Sequence, residues 1–299
     1  MYDIIVVGSG PAGLSAAIYG MRAGKKVLVI EKDYEGTGQI ALSSKVDNYL
    51  GYYDIDGYSL GEHFRAHALH LGTEIKNGTV LSITKADDTF HVIVKVRKKE
   101  EKLEAKSLVY CAGAHHRLLQ VEGENEFRGM GVSYCATCDG NFFAGRPVVV
   151  VGGGDTALDD ALYLSDIASH VTLVHRREAF RGSYATLEKL REKENVTIVT
   201  GVNVASILGE NKVEKVLLDN GNEIETAAVF VAVGMIPDTD LVKDLVNRDS
   251  AGYIIAGEDG RSSCRGLYAA GDVRTKELRQ VITAAADGAN AIHSIIQDM

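Results

Sequence analysis

The sequence has few cysteines and prolines and no tryptophan. Its 299 residues include 4 cysteines and 3 prolines. Four cysteines are too few for a disulfide scaffold, so a Cys-x-x-Cys is expected to be redox-active or metal-binding. No apolar run approaches the roughly 20 residues of a membrane span, and no basic segment precedes the strand-like run at Asp3 as in a signal peptide. We therefore expect a cytoplasmic protein with no membrane partner.

Positive charge is also scarce. The chain carries 32 Lys and Arg against 41 Asp and Glu, a net charge of −9. Non-specific nucleic-acid binding needs clustered Lys and Arg, so a nucleic-acid partner is not expected. Glycine, in contrast, is abundant. The 32 glycines indicate several places where the backbone turns tightly or approaches a ligand. The length allows two domains of about 150 residues each.

The chain begins with a complete strand, turn, helix and strand. An apolar run at 3–7 enters the turn Gly8-Ser9-Gly10-Pro11-Ala12-Gly13, and a second apolar run at 27–30 ends at Glu31. Glycines at this spacing let the backbone approach a pyrophosphate at the helix N-terminus. An acid at the end of the second strand accepts hydrogen bonds from a ribose diol. The pattern predicts a dinucleotide-binding unit with Glu31 at the ribose.

The same pattern begins again 144 residues later. A strand at 147–151 enters Gly152-Gly153-Gly154-Asp155-Thr156-Ala157, and the next strand ends at His175 where the first unit has Glu31. Arg176, Arg177 and Arg181 follow. Guanidinium groups bind a 2′-phosphate that an acid would repel, so this second unit is predicted to prefer NADPH over NADH. The chain therefore contains two similar nucleotide-binding units.

A cysteine pair lies between the two turns. Cys135 and Cys138 are followed directly by Asp139, and this order indicates electrons passing from one nucleotide to another and then to sulfur. Asp139 next to the pair is a candidate proton donor, and the alternative is a plain turn residue before Gly140. A zinc site would need two further ligands. Cys111 and Cys264 lie in or beside apolar strands and are expected to be buried, so no metal is predicted.

Two other segments bear on organisation. Three histidines, at 63, 67 and 70, share one face of a predicted helix over 59–71, and a solvated or packed face is favoured over a metal site. The C-terminal segment carries a strand ending in Gly271-Asp272 and a helix over 282–297. Its Gly-Asp can place a carboxylate on a ligand hydroxyl. This indicates a discontinuous first domain, 1–116 plus 246–299, with a second domain, 117–245, inserted into it.

The motifs resemble those of the low-molecular-weight thioredoxin reductases of bacterial and archaeal type, which are FAD-dependent pyridine nucleotide-disulfide oxidoreductases of class II. The resemblance covers essentially the whole chain. It is carried by Gly8 to Gly13, Gly38-Gln39, Cys135 to Gly140, Gly152 to Ala157, His175 to Arg181, and Ala270 to Asp272 with Arg279-Gln280. It implies an α/β fold with two Rossmann-like FAD/NAD(P)-binding domains, each a parallel sheet with helices and a small antiparallel β-meander.

The activity implied by the resemblance is that of a thioredoxin-disulfide reductase. NADPH reduces FAD, FAD reduces the Cys135–Cys138 disulfide, and the dithiol reduces thioredoxin or a thioredoxin-like protein. Cys138 faces the flavin and forms the charge-transfer thiolate, while Cys135 attacks the partner and Asp139 supplies the proton. Family members are homodimers and swing the NADPH domain against the FAD domain.

The resemblance also implies cofactor-binding residues. The FAD site would comprise Gly8, Ser9, Gly10, Pro11, Ala12, Gly13, Glu31, Lys32, Gly38, Gln39, Asn48, Gly113, Gly271, Asp272, Arg279, Gln280 and Val281. The NADPH site would comprise Gly152, Gly153, Gly154, Asp155, Thr156, Ala157, His175, Arg176, Arg177 and Arg181.

One departure from the family pattern bears on the partner. Met130 stands where many members carry Arg on the surface that meets thioredoxin. One alternative is therefore a reductase of a different thioredoxin-like or glutaredoxin-like protein. Two others are a dithiol oxidase, which the arginines after His175 disfavour, and a non-enzymatic flavin redox module, which would not need Asp139 or the second nucleotide turn.

Overall fold

The structure, a computed structural model, describes residues 1–33, 36–43 and 45–299. The chain divides into two compact units, a first unit of 1–115 with 236–299 and a second unit of 116–235. These divisions fall at 115/116 and 235/236, where the sequence predicted 116/117 and 245/246. The later segment belongs to the first unit because Val242 and Val246 pack into its core.

The helices and strands alternate along the chain. The first part contains β1 (Tyr2–Val7), α1 (Pro11–Arg22), β2 (Val27–Glu31), α2 (Gly57–His70), β3 (Glu74–Asn77), β4 (Thr79–Ala86), β5 (Thr89–Val96), β6 (Lys99–Tyr110), β7 (Ala114–His116) and β8 (Val132–Ser133). The second part contains α3 (Ala136–Asp139), β9 (Pro147–Gly152), α4 (Asp155–Ser165), β10 (His170–His175), α5 (Tyr184–Arg191), β11 (Val196–Thr200), β12 (Val204–Leu208), β13 (Lys215–Leu218), β14 (Glu223–Glu225), β15 (Ala228–Ala232), β16 (Met235–Pro237), β17 (Leu267–Ala269) and α6 (Val281–Asp298). Short 3-10 helices lie at Gln39–Leu42, Gly140–Phe143 and Asp240–Val242.

The first unit is built on a seven-stranded sheet. Its path is β3-β2-β1-β6-β5-β4, and β17 also pairs with β6. Strands β1, β2, β3, β6 and β17 pair in parallel, whereas β4, β5 and β6 pair antiparallel as a meander. Every residue of β2 is buried, as expected of a strand covered on both faces. The C-terminal segment therefore completes the first unit's sheet.

Helix α6 packs against α1 on one face of this sheet. Small residues let the helices approach closely: a side chain at Gly288 would overlap the backbone of Ala12 and Ala16. Ala17, Ala291 and Ile292 lie in the same buried cluster. The close approach fixes the start of α1, which is where the first glycine turn ends.

The second unit repeats the plan on a smaller scale. Its parallel sheet has the order β11-β10-β9-β15-β8, and a separate three-stranded antiparallel sheet has the order β12-β13-β14. The hairpin predicted at Asn220-Gly221 joins β13 and β14, with Gly221 at a φ of 86°. Helix α4 packs Leu158 and Leu164 against the parallel sheet. Across the described ranges, no helix is long and apolar enough to cross a membrane.

Candidate functional site

The first glycine turn leads directly into α1. Gly10 is the N-cap of α1 and Pro11 its first residue, and no side chain caps the helix. Proline suits this place because it has no N–H to leave unpaired. Gly8 has a φ of 101°, and a Cβ there would lie 2.5 Å from the carbonyl oxygen of Cys111. The turn is thus closed on the strand side, and the free N–H groups of α1 are available to an anionic group.

Glu31 is fixed by hydrogen bonds at the end of β2. Its Oε2 accepts from Ser9 N at 2.9 Å and from Ser9 Oγ at 2.7 Å, and its Oε1 accepts from Asp33 N at 3.0 Å. The carboxylate is only 8% exposed. The predicted ribose acid therefore lies beside the glycine turn, as the sequence pattern required. Lys32 follows it on the exposed surface.

The middle of the first unit brings further predicted residues together. Gly38 has a φ of 78° and faces Gly10, because a Cβ on Gly38 would lie 3.0 Å from the Gly10 Cα. The Gln39 side-chain amide donates to the carbonyl of Ala114, which follows Gly113. A Cβ at Gly113 would meet no atom of the described chain within 4 Å, so this stretch of backbone borders open space.

The C-terminal Gly-Asp turn lies against the first glycine turn. A Cβ at Gly271 would lie 3.0 Å from the Ala12 Cβ. Further along, Gln280 is the N-cap of α6 in a capping box with Thr283, and Val281 begins the helix. Gln280 Oε1 also accepts from Asn48 Nδ2 at 2.9 Å. The structure therefore gathers the early, middle and late residues of the predicted FAD site in one unit.

Two buried polar atoms of this site have no hydrogen-bond partner among the described residues. They are Oδ1 of Asp272 and Nε of Arg279. Buried polar atoms are normally paired, so an orphaned acceptor and an orphaned donor indicate a missing ligand with both kinds of group. Burial raises the pKa of Asp272, while Lys276 and Arg279 oppose that shift. The hydroxyl and phosphate groups of FAD fit these atoms and the glycine turn beside them.

Sequence reasoning missed the ionic cluster beneath Asp272. Asp287 in α6 accepts from the Gly271 N–H at 2.9 Å, and it pairs with Arg274 at 2.7 Å and with Lys276 at 2.9 Å. All three side chains are nearly fully buried. Hydrogen bonds from both cations hold the pKa of Asp287 below its ordinary value despite burial. An acid within an alanine-rich helix was the available signal, but its irregular spacing from the cations hid the pairing.

Tyr253 was also missed. The Arg279 guanidinium lies over its ring, 4.2 Å from the centroid. Stacking on an aromatic ring is a geometry that arginine favours, and it holds the planar group in place. Tyr253 therefore orients one of the two predicted ligands whose polar atom is orphaned.

The second glycine turn has the same form but different surroundings. Gly154 is the N-cap of α4, Asp155 and Thr156 begin the helix, and Ala157 is fully buried. A side chain at Gly153 would run into the ring of His175. His175 is itself buried, packs against Phe180 with ring centroids 4.8 Å apart, and has a pKa lowered chiefly by burial.

The arginines after β10 point to an anion. Arg176, Arg177 and Arg181 are all exposed, and none of them is ion-paired with a carboxylate of the described residues. The Arg181 N–H donates to the Gly153 carbonyl at 2.8 Å, which ties this segment to the turn. Asp155 Oδ1 accepts from the Ser183 N–H at 2.7 Å. Unpaired guanidinium groups held beside a nucleotide turn fit the 2′-phosphate of NADPH.

The cysteine pair lies in the second unit, at the start of α3. Cys135 and Cys138 form a disulfide with a Cα–Cα distance of 5.3 Å, and both are half-buried. Cys135 Sγ lies 3.5 Å from Oγ1 of the exposed Thr137. Burial raises the pKa of Asp139, and a hydrogen bond from Ser133 opposes the shift. Asp139 is thus adjacent in sequence to the disulfide and inclined to hold a proton.

A further anchor precedes Cys135. The Tyr134 hydroxyl donates to Glu124 Oε1 at 3.0 Å, and its ring stacks on His116 at 4.9 Å between centroids. Glu124 is 1% exposed and also accepts from the backbone N–H groups of Leu119 and Gln120. Sequence reasoning gave no role to Tyr134 or Glu124. The network fixes the chain on the side of Cys135 opposite the disulfide.

The other cysteines and the histidine row are separate from these sites. Cys111 is buried at the end of β6, as predicted, whereas Cys264 is half-buried. The three predicted helix-face histidines are exposed on α2, where His63 Nδ1 lies 3.1 Å from the Tyr52 hydroxyl. No cluster of three or more His, Cys, Asp or Glu able to hold a metal occurs in the described ranges.

Two nucleotide turns and a disulfide in one chain define a nucleotide-dependent disulphide oxidoreductase. In agreement, the family model described as "Pyridine nucleotide-disulphide oxidoreductase" matches residues 2–288. The chain is 42% identical over 299 residues to the thioredoxin reductase of Treponema pallidum, covering 98% of this chain and 95% of the relative. It is 38% identical over 301 residues to that of Bacillus subtilis, covering 99% and 94%.

A solved structure agrees with the sequence relatives. The thioredoxin reductase of Streptococcus pyogenes superimposes with a TM-score of 0.92 at 37% identity, covering 100% of this chain and 98% of the other. The chain belongs to the pyridine nucleotide-disulphide oxidoreductase family and, within it, to the thioredoxin reductases. The predicted α/β fold and the dependence on FAD and NADPH are confirmed by this membership.

Proposed function

We propose that this chain reduces the disulfide of thioredoxin with electrons from NADPH, through Cys135 and Cys138. The observation that carries the proposal is the formed disulfide followed directly by Asp139, within a family of nucleotide-dependent disulphide oxidoreductases. The pair is half-buried, so it is open to a partner on one side and shielded on the other.

We assign FAD to the first unit and NADPH to the second. Bound FAD supplies a carrier that takes a hydride from NADPH and gives two electrons to a disulfide. The orphaned atoms of Asp272 and Arg279, with the glycine turn at 8–13 and Glu31, support the first assignment. Arg176 and Arg177 support the second.

The chain's own residues handle sulfur and protons. Two electrons break the bond between Cys135 Sγ and Cys138 Sγ, and one sulfur takes a proton from Asp139. Cys135 Sγ, on the side of the exposed Thr137, then attacks the disulfide of thioredoxin and forms a mixed disulfide. Cys138 Sγ attacks Cys135 Sγ, which restores the internal disulfide and releases thioredoxin with two thiols. Two electrons and two protons have then passed to thioredoxin.

The raised pKa of Asp139 suits this role. A buried carboxyl with a pKa above its ordinary value keeps its proton closer to neutral pH, and so can give it to a nascent thiolate. Its place beside Cys138 in α3 brings the donor next to the sulfur without a further conformational change.

The partner and the setting extend the proposal. Met130 is 48% exposed and uncharged, so the partner surface that meets it is expected to need no acidic group there. Following the family pattern, we also propose a homodimer and a cytoplasmic location, where reduced thiols persist. Sedimentation of the FAD-loaded protein tests the first point, and fractionation of the source cells tests the second.

The test is thiol formation on thioredoxin with NADPH, in wild type and in single Cys→Ser variants. Cys138→Ser and Cys135→Ser are each expected to abolish turnover. Cys264→Ser, a half-buried cysteine outside the pair, is the matched control and is expected to keep it. Turnover in Cys138→Ser would contradict the proposed route. Flavin reduction by NADPH with no thioredoxin thiols in wild type would instead indicate a different partner or a non-enzymatic redox module.

A further inference from the structure

The hydroxyl of Ser133 connects Asp139 with the backbone of Cys135. Ser133 Oγ lies 2.6 Å from Asp139 Oδ2 and 3.1 Å from the Cys135 nitrogen. Ser133 is 5% exposed and belongs to β8, where it pairs with Phe230 in β15. The hydroxyl is therefore held by the parallel sheet while the groups that it contacts belong to the redox segment.

The directions of these two hydrogen bonds follow from the proton count. A hydroxyl has one proton to donate, and the Cys135 N–H can only donate. Ser133 Oγ therefore accepts from Cys135 N–H and gives its own proton to Asp139 Oδ2. The contact to the Cys135 carbonyl is longer, at 3.4 Å, and competes poorly for that proton. Oδ2 is thus an acceptor, and a proton on Asp139 must sit on Oδ1.

We propose that Ser133 is a positioning residue for the reaction: it orients the Asp139 carboxyl so that Oδ1 delivers the proton to the cysteine pair. The inference rests on the proposed role of Asp139 as proton donor. When two electrons break the Cys135–Cys138 bond, the proton on Oδ1 passes to the nascent thiolate, leaving a carboxylate. Solvent returns a proton to Oδ1 before the next cycle. Ser133 keeps its own proton throughout.

The surroundings of Asp139 determine how a pH test must be built. Its own segment supplies the two cysteine thiols after reduction, and α4, which packs against α3, carries Asp159, Asp160 and Tyr163. Burial raises the pKa of Asp160 to about 7, with Asp159 adding to the shift. A limb near neutral pH could therefore arise from Asp160. Measuring in an Asp160→Asn background removes that group.

Ser133→Ala is expected to produce two changes in thioredoxin reduction. The plateau of kcat should fall by roughly tenfold, a part of the ~10²–10⁴-fold that a positioned acid contributes. The alkaline limb that reports Asp139 should move to higher pH, because the lost hydrogen bond no longer stabilises the carboxylate. A rate loss from general damage would lower the plateau without moving the limb upward.

Two variants serve as controls. Ser133→Thr keeps the hydroxyl and is expected to restore most of the rate and the wild-type limb. Ser165→Ala removes another buried serine hydroxyl of the same unit, which donates to Leu162 O at 2.6 Å, and should change neither quantity.

The outcomes separate this inference from the function beneath it. Asp139→Asn tests the proposed acid: an unchanged rate in that variant would overturn the role of Asp139 and the inference with it. A slow Asp139→Asn combined with a Ser133→Ala limb that does not move would overturn the positioning role alone. An upward shift that Thr reverses supports it.

Discussion

The two glycine turns use one backbone plan for two different nucleotides. In both units a buried parallel strand ends in glycines, a helix begins, and the next strand carries the residue that meets the ribose. The first unit places there a buried Glu31 that accepts three hydrogen bonds from its own chain. The second places His175, followed by exposed arginines. The difference shows that the backbone supplies phosphate binding while the strand end determines which nucleotide fits.

The helices that follow the turns also differ at equivalent positions. A side chain at Gly13 would overlap the Gly8 carbonyl, whereas the matching residue of the second unit is Ala157 and fits. Ala16 in α1 is fully buried, and the residue 144 positions later is Asp160, whose pKa burial raises to about 7. The second unit therefore contains a buried carboxyl where the first packs a methyl group.

The largest effect is expected at the third position of the first turn. Gly13→Ala should destabilise the protein by roughly 3 kcal/mol or more, because its Cβ overlaps backbone that belongs to a buried strand end. The reverse change in the second unit, Ala157→Gly, should cost only about 1 kcal/mol. Urea unfolding and bound-flavin content of both variants measure this. Equal costs would show that the two turns are not constrained differently.

The next effect concerns nucleotide choice. Replacing both Arg176 and Arg177 by Ala should raise the KM for NADPH roughly 100-fold, since charge-assisted hydrogen bonds contribute ~1.5–3 kcal/mol each. The KM for NADH should change little. Lys215→Ala, which removes a cation paired with Glu223 in the antiparallel sheet, is the matched control. A parallel rise for NADH would mean that the arginines support the fold rather than the 2′-phosphate.

The smallest effect is a pH dependence confined to α4. The folded pKa of Asp160, about 7, lies above the unfolded value of ~3.9, so the folded state binds the proton more tightly. That stabilisation is fully present below about pH 4 and is lost as pH rises through 7. Asp160→Asn should therefore raise Tm at pH 8 and leave it unchanged at pH 4. The exposed neighbour, as Asp159→Asn, should give a smaller shift, and equal shifts at both pH values would contradict the buried titration.

The repeated turns could be predicted because their signals are local. Strand, glycines, helix and the residue at the end of the second strand follow one another in sequence, so Glu31 and His175 were found at their places. The bond from Ser133 to Asp139 was not predicted, although both residues flank the cysteines, because a serine in a short strand has many possible partners.

Long-range pairs were hidden for a different reason. Asp287 meets Gly271, Arg274 and Lys276 only after α6 packs against α1, and nothing in their spacing shows that contact. The same packing explains the division at 235/236: Val242 and Val246 join the first unit through tertiary contacts that no local pattern marks.

The most direct test of the account is an anaerobic titration of the FAD-loaded protein with NADPH, followed by oxidised thioredoxin and a count of its thiols. The account predicts that NADPH bleaches the flavin absorbance, that thioredoxin restores it, and that two thiols appear on each thioredoxin for each NADPH consumed. NADH should bleach the flavin only at much higher concentration. A flavin that NADPH does not bleach, or one that bleaches while thioredoxin stays oxidised, would contradict the account.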